Sequence, residues 1–143
     1  MSRHSIEAIL QGREWSKGDG ATSEALAKLK GTAPAPLPEA YLDLLSFGDG
    51  GEGPLPVEPF WFVLYSAEES AKIEQGAEFG DFFPGLFVIG GNGGGEAIAL
   101  DLTIKGRPPV VYFDMTNIDR LESVRPLAPD FEAFADLIGK PDE

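Results

Sequence analysis

The chain has 143 residues, no cysteine, one histidine and 43% hydrophobic content, enough for one cored domain of ordinary size. The lack of cysteine excludes a disulfide framework, a thiolate nucleophile and a cysteine-based zinc site, and His4 alone makes no metal cluster. Residues 1–40 balance five basic side chains against five acidic ones, so the net charge of −13 falls on the remainder, a field that repels nucleic-acid phosphates and anionic lipid and attracts basic proteins.

Ile6-Glu7-Ala8-Ile9-Leu10-Gln11 is too short and too polar for a signal-peptide core, and no apolar run approaches a membrane span, so a cytoplasmic location is expected. Residues 1–22 read as a weakly structured or helical N-terminal extension: Ile6, Ile9 and Leu10 suggest one helical face before Gly12, Gly18 and Gly20 interrupt it. A single domain is expected over residues 23–143. Thr22 or Ser23 caps a helix through Leu26 and Leu29, and Gly31 is placed to end it in a left-handed conformation. After the stiff Ala33-Pro34-Ala35-Pro36 connector, Leu37 to Gly48 is the best-punctuated helix. Pro38 suits its first position, Leu37, Tyr41, Leu44 and Leu45 form a stripe, and Gly48 suits its stop.

Asp49-Gly50-Gly51-Glu52-Gly53-Pro54 is predicted as a turn-rich loop, with too few carboxylates for a helical-type calcium loop. Aromatic and branched residues predict a strand at 60–65, and Ser66 with Glu69 supplies a reciprocal cap for a helix ending near Gly76. Further strands are predicted at 85–90, 96–102 and 109–114, with Lys105-Gly106 in the turn before the last. Asp130 caps a closing helix marked by Phe131, Phe134, Ala135 and Ile138, ended by Gly139 and Pro141.

The most distinctive stretch runs from Phe87-Val88-Ile89 through Gly90-Gly91-Asn92-Gly93-Gly94-Gly95 into Glu96-Ala97-Ile98-Ala99-Leu100-Asp101-Leu102. It reads as a hairpin. Its exit side alternates like a half-buried strand, whereas a phosphate loop needs a helix whose N-terminal amides hold the phosphate. Counting G-x-G-x-x-G from Gly91 or Gly93 puts the final position on Glu96 or Ile98, and no G-K-[ST] follows. The predicted fold is α+β: an antiparallel sheet of four to six strands, a meander with a central glycine-rich hairpin, with about four helices packed on one face.

On these segments the chain resembles the SUKH superfamily, which includes fungal cell-wall-synthesis regulators and many bacterial immunity proteins. The resemblance is carried by Leu37-Pro38-Glu39-Ala40-Tyr41-Leu42, by Phe47-Gly48-Asp49-Gly50-Gly51-Glu52, by the hairpin from Val88 to Asp101, and by Val110-Val111-Tyr112-Phe113-Asp114, over roughly residues 23–138. The chain departs from the pattern at Gly90-Gly91-Asn92, where aspartate often precedes the hairpin glycines, and in its unmatched N-terminal extension. The resemblance implies a binding role without catalytic machinery or cofactor. Bacterial members look like neutralisers of toxins, many of them nucleases, by direct contact.

The expected partner is a protein, a basic toxin domain rather than nucleic acid or membrane, and the oligomeric state is left open between monomer and weak dimer. Aromatic anchors and steering carboxylates near loops are the candidate contacts: Glu52, Tyr65, Asp81, Asn92, Glu96, Asp101 and Asp114. A purely structural reading outweighs contact for each of them: Asn92-Gly93 as a tight turn, Asp101 satisfying backbone at a strand end, Tyr65, with Trp61, as core. Two other readings stay open: a small-molecule or peptide-binding module on a sheet face lined by Phe60, Trp61, Phe62 and Tyr112, and an acid–base pair of Glu52 with Glu96.

Overall fold

A computed structural model describes residues 3–76, 85–104, 106–116 and 123–140. Along the chain it comprises α1 (Arg3–Leu10), β1 (Ser16–Lys17), α2 (Ser23–Thr32), α3 (Glu39–Phe47), β2 (Gly51–Pro54), β3 (Trp61–Leu64), α4 (Ala67–Gly76), β4 (Leu86–Gly91), β5 (Glu96–Asp101), β6 (Val110–Asp114), β7 (Arg125–Ala128) and α5 (Phe131–Ala135). The strands form one antiparallel sheet in the order β1 to β7, each paired with its sequence neighbour. The class is therefore α+β as predicted, but with seven strands and, among the described residues, five helices.

The four predicted strands are present as β3 to β6; the added ones lack the usual strand signal. β2, Gly-Glu-Gly-Pro, was expected to be loop, and β7 contains Pro126. Each owes its place to pairing with a stronger neighbour, β2 with β3 and β7 with β6. At the N-terminus, α1 packs on α3 and buries Ile6 and Leu10, while β1 pairs with β2 at the sheet edge.

Most helix ends follow their local chemistry. Thr22 accepts from the Ala25 amide at 3.1 Å, Ser66 from the Glu69 amide at 3.1 Å and Asp130 from the Ala133 amide at 2.8 Å. Three ends differ from expectation. Pro38 stands just before α3, at a ψ of 135°, and not in its first helical position. Gly31 lies inside α2, without a positive φ, and the helix closes when the Ala33 amide donates to the Leu29 carbonyl. α5 is one turn long; residues 136–139 continue as turns that still bury Ile138, and Gly139 takes a φ of 82°.

Both sheet faces are apolar. The main core joins Phe62, Leu64, Phe87, Ile89, Ile98, Leu100, Val110 and Tyr112 to the helices, and aromatic rings knit it. Phe62 stacks on Trp15 at 5.7 Å and meets Phe134 edge-on at 4.9 Å. On the other face, Leu86, Val88, Ala97, Ala99, Val111 and Phe113 form a second cluster, joined by Tyr65, Ile73, Met115 and Val124. This corrects the half-buried reading of β5: Ala97 and Ala99 are fully buried, because small side chains let another layer close on that face. It likewise corrects the expectation that apolar packing is confined to one face. The central hairpin is as predicted, with β4 bulged between Val88 and Gly90.

Candidate functional site

The register gathers three connections at one end of the sheet: residues 55–60 before β3, residues 92–95 between β4 and β5, and the chain leaving β6 after Asp114. Asn92 organises the glycine turn. Its Oδ1 accepts from the amides of Gly94 at 2.9 Å and Glu96 at 3.1 Å, and its Nδ2 donates to Glu96 Oε1 at 3.2 Å. Gly93, at a φ of 79°, supplies the left-handed step the turn requires, next to Trp61 and Val63.

Strand alternation then sorts the polar side chains by face. Glu96 lies opposite Asp114 on the core side of β5 and β6, one pleat beyond the Ile98–Tyr112 pair, and Arg125 is in register with Tyr112. The 55–60 connection reaches over the same face, where the Tyr112 hydroxyl donates to Glu58 Oε2 at 3.3 Å. Glu58, Tyr112 and Arg125, with Val57, Pro126 and Leu127, line an open groove of about 700 Å³.

The charges gathered here act on Glu96 and on Tyr112. Burial, Asp114 and Glu58 hold the Glu96 carboxyl above its ordinary value, and Arg125 opposes this. Tyr112 is raised by burial and the Glu58 carboxylate. Asp114 is lowered because the backbone amide and hydroxyl of Thr116 donate to its Oδ1, at 2.9 and 2.7 Å.

Of the residues singled out from sequence, Asn92, Glu96 and Asp114 meet at this end. Glu52 is exposed on β2, on the opposite face, and accepts from Trp61 Nε1 at 3.2 Å. Tyr65 packs half-buried in the second cluster. Asp101 lies at the far end of β5, where its Oδ1 accepts from the Thr103 amide at 3.0 Å. Asp81 is outside the described residues.

The two alternative constellations do not assemble. Glu52 and Glu96 sit on opposite faces of the sheet, which separates the acid–base pair. Phe62 and Tyr112 are buried on the core face, whereas Trp61 is exposed on the other face and Phe60 precedes the strand, so the four aromatics line no common pocket. Glu58, Val57 and Arg125 are additions that the sequence did not suggest, since strand pairing brings them together from separate segments. Among the described residues no group of histidine, cysteine, aspartate and glutamate is arranged to hold a metal ion, and no helix is long and apolar enough to cross a membrane.

The fold and this surface define an α+β domain with an open antiparallel sheet and carboxylates gathered at one sheet end. The profile of the SMI1 / KNR4 family (SUKH-1) matches residues 20–137, most of the chain, and the chain belongs to that family. No curated protein matches it.

Proposed function

We propose that this chain is a non-catalytic binding domain of the immunity type, which neutralises a basic toxin domain by direct contact. Family membership supports a protein-binding role of this kind. The observation that carries the basic partner is the convergence of Glu58, Glu96 and Asp114 on one face of the sheet end, in a chain of net charge −13. Carboxylates at the rim of an interface accelerate encounter with a basic surface, and in front of a nuclease groove they take the place of substrate phosphates.

The test is association with the product of the adjacent gene, measured by stopped flow at low and high salt. Wild-type protein binds, and added salt slows association. Glu96→Lys slows it by about tenfold at low ionic strength and leaves the circular dichroism spectrum unchanged. Equal rates for wild type and Glu96→Lys at low salt remove Glu96 from the interface; absence of binding by the wild type contradicts the role with that partner.

A further inference from the structure

Four large hydrophobic side chains are exposed among the described residues, and three of them fall within five positions of the chain: Val57, 41% exposed, Phe60, 47%, and Trp61, 37%. Single exposed apolar side chains are common; three on the one loop that enters β3 set this sheet end apart, Val57 toward the Tyr112 groove and Trp61 toward Glu52. Phe60 also has a backbone φ of 69°, the left-handed region that side chains larger than asparagine rarely occupy. That conformation is held by the Phe60 amide donating to the Val57 carbonyl at 2.7 Å and the Phe60 carbonyl accepting from the Leu55 amide at 2.9 Å. Buried Leu55 anchors the start of the loop, and buried Pro59 lies between its exposed members. Glu58 is tied down by Tyr112, and Trp61 by Glu52 and the neighbouring glycine turn. The left-handed turn at Phe60 thus closes the loop that seats Leu55 in the core, and it leaves the Phe60 ring half exposed beside Trp61.

We infer that Val57, Phe60 and Trp61 form the anchoring ridge of a protein interface, and that its occupant is a protein surface carrying an apolar side chain flanked by lysine or arginine. Charge complementarity selects that occupant. Glu52 borders the ridge on one sheet face, and Glu58, Glu96 and Asp114 border it on the other. These carboxylates repel an anionic lipid surface, and the net charge of −13 opposes a second copy of the chain. Pre-positioned aromatic anchors lose little conformational freedom on binding, which is why such residues dominate interface energetics.

The inference rests on the protein-binding role proposed above, and its test needs no knowledge of the natural partner. Isotope-labelled protein is titrated with three synthetic amphipathic peptides, one of lysine and leucine, one of lysine and serine, and one of glutamate and leucine. The lysine–leucine peptide is expected to shift the amides of residues 57–61 and the Trp61 fluorescence, and to bind at least about tenfold more tightly than the other two. Phe60→Asn, which suits the left-handed backbone, and Val57→Ser are each expected to weaken that binding by about tenfold while thermal stability is kept or raised. The ridge is overturned if the shifts map elsewhere, if either control peptide binds equally well, or if both variants bind like wild type. Loss of toxin recognition with the ridge intact would discard the toxin role alone.

Discussion

Glu96 illustrates how much depends on a single cross-strand position. Its backbone completes the Asn92 turn, and its side chain accepts from Asn92 while facing Asp114 and Glu58 on one face. Because the folded chain holds the Glu96 carboxyl above its ordinary value, the native state binds more protons than the unfolded chain between those two values. Stability on this account falls as pH rises through that window, and the full cost is present at neutral pH. Glu96→Gln keeps an acceptor for Asn92 and removes the charge. It should therefore raise the melting temperature at pH 7 by about 2 °C, the effect of a partly exposed charge interaction. The difference from wild type should vanish below about pH 4, where an unperturbed carboxylate is itself protonated. Melting scans across that range check it; a lower melting temperature for Glu96→Gln at pH 7 would show that the carboxylate is stabilising.

At the scale of elements, the glycines of the central hairpin serve two different purposes. Gly93 permits a turn, whereas Gly90 permits an approach: a Cβ there would lie 2.1 Å from the Val63 carbonyl oxygen and 2.9 Å from the Phe62 ring. Gly90→Ala should thus force β3 and β4 apart and cost about 2–3 kcal/mol, the range of an overpacked core, seen as a lower urea midpoint at unchanged slope. An unchanged midpoint would mean that the two strands are free to separate. The same contrast explains which elements were legible beforehand. Helices with local punctuation, α3 with Pro38 before it and a stripe of Tyr41, Leu44 and Leu45, and α4 with its Ser66 cap, and strands with branched or aromatic runs, such as β3 and β6, carry their signal locally. Gly51–Pro54 and Arg125–Ala128 do not: they become strands because neighbouring backbone offers partners, and local composition argues against them. Phe60 is the converse case. Its type suggested a strand, yet its backbone turns left-handed one residue before β3 begins.

At the scale of the whole molecule, three of the twenty-four acidic side chains, Glu58, Glu96 and Asp114, converge at one sheet end. Asn92 and Glu96 could be read from sequence because a turn and a strand start define them. Glu58 and Arg125 join them through a sheet order that composition does not reveal, from segments on either side of the hairpin. On the proposed reading the sheet end joins long-range attraction by carboxylates to short-range apolar contact at the exposed Val57, Phe60 and Trp61. In that proposal, steering raises encounter rates without fixing which basic protein is held, and the ridge supplies shape. The most direct measurement of the central claim is growth of cells expressing the adjacent gene's product with and without this chain. Rescue of growth by the wild type, lost with Glu96→Lys combined with Phe60→Asn in a protein that still folds, is the predicted result. Growth arrest unrelieved by the wild type, despite soluble expression of both proteins, would contradict neutralisation of that partner.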